Sequence, residues 1–163
     1  MSGRTRSSTI SILAVFALVG SGCTSIPRDS NGALTRIKGG VLRAGVIEHP
    51  PWTAVDDHNT VSGVEAQLIE RWASDLGARV EWRHADLDGL VEALHHREID
   101  VLAAGLHAAT PYAPKLALTQ PYAEVDDGRG GRQRLVLAVT PGESALLLHL
   151  DRFLAGRGVV RQP

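Results

Sequence analysis

The segment Val101–Tyr122, VLAAGLHAATPYAPKLALTQPY, constrains the fold more than any other stretch of the chain. Its apolar start follows the charged Glu98-Ile99-Asp100, so it reads as a short buried strand. The strand runs into Ala104-Gly105, small residues beside which a ligand can approach the backbone closely. A loop follows, carrying His107 and Tyr112 around a Thr110-Pro111 helix-start signal. Leu116–Thr119 reads as another strand, stopped at Pro121. Such a segment carries a binding site at the carboxyl end of a parallel sheet.

The flanking segments alternate in the same manner. Val41–Val46 is a strand, and Glu48-His49-Pro50-Pro51-Trp52 is an extended loop fixed by two prolines that presents Trp52. Val61-Ser62-Gly63 turns into a helix from Val64 to Leu76, where Val64, Leu68, Ile69, Trp72 and Leu76 form one apolar stripe. Gly77 is placed to close that helix. Arg79–Trp82 alternates as a half-buried strand, and Asp86 can cap a second helix bearing Leu87, Leu90, Val91 and Leu94. Asp126–Arg134, DDGRGGRQR, reads as a polar glycine-rich connection. Leu135–Val139 is a further strand, and Pro141-Gly142 starts a helix whose Leu146, Leu147, Leu150, Phe153 and Leu154 face a core. The order β-α-β-α-β then β-β-α predicts an α/β, three-layer sandwich with a mostly parallel sheet.

The chain's beginning differs. Arg4 and Arg6 precede an apolar run from Ile10 to Val19, and Gly20-Ser21-Gly22-Cys23 follows, the plan of an export signal over residues 1–23. The run is shorter than the ~20 residues a membrane span needs. Small residues ahead of the lone cysteine resemble a lipobox, with Gly20 where leucine is usual. The same residues suit ordinary signal cleavage with Cys23 left free, and lipidation of Cys23 is the reading adopted, because it accounts for a single cysteine at that spot. Residues 24–40, rich in Ser, Thr, Gly and Pro, read as a flexible tether. Residues 41–155 suffice for one core, and 156–163 read as a tail.

A formal net charge of −1 leaves no electrostatic footprint for nucleic acid. The seven histidines include His49, His58, His84, His95, His96 and His107, none at a ligand spacing backed by an acid or cysteine motif. Neither a phosphate loop nor a nucleophile with a base at recognisable spacing is present. The sequence therefore predicts no metal, no cofactor and no enzyme.

In order and spacing, the segments resemble bacterial extracellular solute-binding proteins of family 3, the type II periplasmic-binding fold of ABC importers. The resemblance rests on Leu42-Arg43-Ala44-Gly45-Val46, Pro50-Pro51-Trp52, Gly63-Val64-Glu65 and Leu76–Trp82, then Asp88-Gly89-Leu90, Ala93-Leu94, Glu98–Val101 and the run from Ala104 to Tyr122. It implies that His49, Trp52, Ala104, Gly105, His107 and Tyr112 contact a ligand. Two departures stand out. Tyr112 occupies the position at which amino-acid-binding members carry an arginine that grips the ligand carboxylate, and Ala109 replaces a usual threonine, so that anion clamp is absent. Only Ala123–Gln133 separates Pro121-Tyr122 from the returning strand, which leaves no room for the family's second lobe. Glu65 reads as a first-turn acid favoured by the helix macrodipole. The expectation is an exported, lipid-anchored single lobe that binds a small polar solute, with an ABC permease or a second chain as partner. The alternatives are an interaction or regulatory module that has lost ligand binding, and a truncated gene product.

Overall fold

Alternating apolar residues on the central strands bury both faces of one sheet, and the helices cover those faces. The computed structural model describes residues 28–157 and 160–161; Cys23 and the export signal expected over residues 1–23 lie outside them. The elements are α1 (Ala33–Ile37), β1 (Val41–Val46), β2 (Ala54–Val55), β3 (Val61–Ser62), α2 (Val64–Asp75), β4 (Arg79–His84) and α3 (Leu87–His95), then β5 (Val101–His107), a 3-10 turn (Ala113–Lys115), β6 (Ala117–Leu118), β7 (Ala123–Asp126), β8 (Arg132–Val139), α4 (Ser144–Ala155) and β9 (Val160–Arg161).

The main sheet runs β4-β1-β5-β8-β7-β9, with β6 also on β8, and β2-β3 form a separate ribbon. Strands β4, β1 and β5 are parallel, while β8 runs antiparallel to β5, β6 and β7. On one face Leu42, Val101, Ala103, Leu137 and Val139 pack against Ile37 of α1, Ile69 and Trp72 of α2, and Leu146 and Leu150 of α4. On the other, Leu102, Leu106, Val136 and Ala138 pack against Leu90, Val91 and Leu94 of α3. Helix, sheet and helix give the three layers of the α/β sandwich.

Local signals explain most boundaries. The Asp86 carboxylate accepts from Gly89 N at 2.8 Å, capping α3, and Gly77 takes φ +64 just past α2. The Thr110-Pro111 signal yields only the 3-10 turn at Ala113–Lys115.

Three expectations require correction. Of the tether assigned to 24–40, the described part, residues 28–40, is fastened to the domain by polar caps and a buried isoleucine. Asp29 accepts from Leu34 N and from Leu146 N, each at 2.8 Å, so one carboxylate caps both α1 and α4. Glu143 accepts from Asn31 Nδ2 at 2.9 Å, and Ile37 is wholly buried. The loop assigned to 126–134 is instead the turn of a hairpin, since β7 starts at Ala123 and β8 at Arg132. The tail assigned to 156–163 supplies β9, whose Val160 and Arg161 pair in parallel with Ala123 and Glu124.

Candidate functional site

The loop after β1 closes on itself. Trp52 N and Thr53 N both donate to the His49 carbonyl, at 2.9 and 3.1 Å, and His49 N donates to Thr53 O at 2.9 Å. Thr53 Oγ1 donates to the Ile47 carbonyl. This compact turn sets Trp52 inward, 4% exposed, with its ring edge-on to Tyr122 at 6.0 Å between centroids. Two glycines permit the approach of neighbouring chain. At Gly63 an added Cβ would lie 2.4 Å from the Trp52 carbonyl oxygen, and at Gly105 2.6 Å from His49 Nδ1. Gly105 adopts φ +57 where the β5–β8 register shifts, between Leu102 and Leu106.

Beneath this turn lies Glu65, 0% exposed. Its backbone N donates to Trp52 O at 2.9 Å. Its carboxylate accepts from Tyr122 Oη at 2.6 Å and from Gly105 N at 3.1 and 3.2 Å. One side chain therefore ties α2 to the bulge of β5 and to the start of β7. Burial pushes the Glu65 carboxyl up to about 7 against the opposing effect of the Tyr122 and Gly105 hydrogen bonds. Burial, followed by the Glu65 charge, pushes the Tyr122 phenol well above its ordinary range.

The macrodipole reading of Glu65 misses this role, although the signal was present. Glu65 stands three, four and seven residues before Leu68, Ile69 and Trp72, on the buried stripe of α2 itself. An acid on an apolar stripe needs a buried partner, and Tyr122 provides one.

The six expected ligand residues separate into groups. His49, Trp52 and Gly105 meet around Glu65 and Tyr122. The Gly105 N–H, expected to face a ligand, is consumed by Glu65. Ala104 is half-buried against the α3 side of the core. Tyr112 turns to α3 and donates its hydroxyl to Asp88 Oδ1 at 2.6 Å, a bond that raises its phenol above the ordinary range. His107 lies on the wall of an open cavity of about 370 Å³, with Ala108, Ala109, Arg132, Gln133 and Arg134. Its Nδ1 is buried and has no hydrogen-bond partner among the described residues.

Chemically, the Glu65 assembly shapes and stiffens a surface, since the Glu65 carboxylate, the Gly105 N–H and the Tyr122 hydroxyl are bonded to one another. Among the described residues no group of three His, Cys, Asp or Glu side chains could hold a metal ion, and no helix is long and apolar enough to cross a membrane.

Comparison with known proteins agrees with this fold. The chain is 34% identical over 129 residues to membrane-bound lytic murein transglycosylase F of Pseudomonas fluorescens, covering 76% of this chain and 25% of that protein. The chain thus spans about a quarter of the length of that relative. It is 26% identical over 114 residues to a probable histidine-binding protein of Neisseria gonorrhoeae, covering 69% of this chain and 42% of that protein. Among solved structures, an aromatic point mutant of the arginine-bound form of domain 1 from TmArgBP, of T. maritima, superposes with a TM-score of 0.68 at 25% identity, covering 76% of this chain and 97% of that one. The family profile matches residues 42–155, from the second residue of β1 to the last of α4. The chain belongs to the bacterial extracellular solute-binding proteins, family 3.

Proposed function

We propose that this chain is an exported, single-lobe solute-binding domain that holds a small polar, amino-acid-like solute non-covalently, in or near an ABC-type import system. The observation that carries the reading is the Glu65 clamp, which braces His49, Trp52 and Gly105 as a rigid floor. On this reading His107, on the wall of the neighbouring cavity, is the ligand contact outside that floor. Support also comes from the likeness to an isolated domain described as arginine-bound, which is matched over nearly its whole length. A half-cleft buries less of a ligand than a closed pocket, so affinity is weak unless a permease or a second chain covers it. Calorimetry of the full chain against the common L-amino acids tests this. His107→Ala should weaken the best ligand by about tenfold or more with the fold intact, the scale of one lost hydrogen bond to a charged group. Failure of any amino acid to bind at millimolar concentration sinks the proposal.

One observation favours a second reading, an interaction module that keeps the scaffold without the ligand. The Gly105 N–H and the Tyr122 and Tyr112 hydroxyls are all spent on internal carboxylates. On this reading the chain corresponds to a non-catalytic portion of a larger envelope protein, as its partial match to the transglycosylase relatives suggests. A partner captured by a chain that binds no solute supports it.

We also propose that Cys23 is lipidated, which places the domain at the outer face of a membrane. Cys23→Ala should move the protein from the membrane pellet to the soluble fraction, and globomycin should block its processing. An unchanged distribution rules the anchor out.

A further inference from the structure

Helices α2 and α4 cover the same face of the sheet, and a side-chain hydrogen bond joins them. Trp72 Nε1–H of α2 donates to His149 Nδ1 of α4 at 3.0 Å, the rings tilted by 42° with centroids 6.4 Å apart. Trp72 is wholly buried, where an N–H left without a partner is costly. An indole nitrogen only donates, so the bond requires a bare Nδ1 and puts the proton of the neutral imidazole on Nε2. A protonated imidazole has no lone pair to offer, and its Nδ1–H would point at the indole N–H. Protonation of His149 and this bond exclude each other.

The charges around His149 come from three elements. Lys38 at the end of α1 and Arg152 of α4 oppose a positive imidazole, while Asp75 at the end of α2 favours one. Partial burial, followed by Lys38 and Arg152, holds the imidazole below its ordinary 6.5. A group lowered in this way contributes stability that is complete above 6.5 and is lost as the pH falls through its folded value. Its sign is opposite to that of Glu65, whose carboxyl is raised. Trp72 stands seven residues beyond Glu65 on the buried stripe of α2. We propose that the Trp72–His149 pair is an acid-released latch. Bonded, it fastens α2, the helix that carries the Glu65 clamp, to α4. When His149 takes up a proton the bond breaks and α2 loosens against α4, so the pair couples solvent pH to the stiffness of the scaffold behind the site.

The test follows the Trp72 indole resonance and the His149 ring nitrogens in the 15N-labelled full chain from about pH 8 to about pH 4, the span over which an imidazole titrates. At the upper end Nδ1 should be the bare nitrogen. On acidification the indole resonance should shift with the midpoint of His149, below 6.5, and should do so in a Glu65→Gln background as well. His149→Asn places an amide oxygen where Nδ1 stands, an acceptor that cannot titrate, so the indole resonance should then hold its place. At the acid end the amides of α2 around Trp72 should exchange about tenfold faster in the parent than in His149→Asn, the scale of one buried hydrogen bond. If acid unfolds the parent first, the His149→Asn chain should survive to a lower pH. A protonated Nδ1 at neutral pH, an indole shift that persists in His149→Asn, a shift lost with Glu65→Gln, or equal acid midpoints for parent and His149→Asn would each overturn the latch.

Discussion

Replacing Glu65 by alanine is expected to lower the unfolding free energy by about 3–4 kcal/mol, the sum of stranded partners and a partly collapsed cavity. The carboxylate accepts from Tyr122 Oη and Gly105 N, and both donors would be left in a dry interior. Trp52 would lose part of its support as well, since its ring packs edge-on to Tyr122. Glutamine retains most of the shape. Its carbonyl can accept from Gly105 N while its amide donates to the Tyr122 oxygen, so Glu65→Gln should cost about 1 kcal/mol, a neutral bond in place of a charged one. Urea unfolding midpoints measure both variants. An alanine cost below that of glutamine would overturn the clamp.

The same pair of variants isolates a pH dependence. The Glu65 carboxyl sits at about 7 in the folded state, above its ordinary 4.5, so the folded chain holds this proton more tightly than the unfolded chain. Its contribution to stability is complete below pH 4.5 and is lost as the pH rises through 7. Linkage puts the loss on the order of 3 kcal/mol. Glu65→Gln cannot titrate, so its stability profile between those limits should lie flatter than that of the parent by that amount. Parallel profiles would mean that Glu65 is ionised throughout.

What was legible in the sequence follows the range of each signal. The apolar periods of Val64–Leu76 and Val101–Leu106 depend on nearby residues and one buried face, so α2, α3, β5 and α4 lie where periodicity puts them. The errors come from partners that the segment's own composition does not announce. Asp29 and Asn31 look like tether composition until Leu146 N and Glu143 meet them more than a hundred residues away. The β7 stretch, Ala123–Asp126, has too few apolar residues to announce a strand, and it becomes one because Arg132–Leu135 lies alongside it. At the site, the prolines and Trp52 were readable because they shape the chain locally. The engagement of the Gly105 N–H by Glu65 spans forty residues and left only an acid on an apolar stripe as its trace.

Gly63→Ala carries the second large effect, a loss of roughly 3 kcal/mol or more from Gly-only backbone strain and a backbone clash together. Gly63 sits at φ +107 and ψ −178, a region closed to residues with a Cβ. The methyl would also lie 2.4 Å from the Trp52 carbonyl oxygen and 3.0 Å from that of Pro51. Neither oxygen can swing aside as a side-chain tip could, because Trp52 O accepts from Glu65 N and Trp52 N is held by the His49 carbonyl. Relief therefore means lifting the whole turn off α2. Gly39→Ala supplies the comparison, since Gly39 also has positive φ, +69, but nothing lies within 4 Å of an added Cβ. Its cost should stay near ~1 kcal/mol, that of φ alone. Trp52 indole and Gly105 amide resonances should shift in the Gly63 variant and stay in place in the Gly39 variant. Equal costs for the two would mean that the turn yields freely, and a floor that yields freely could not preorganise the face on which the solute is proposed to rest.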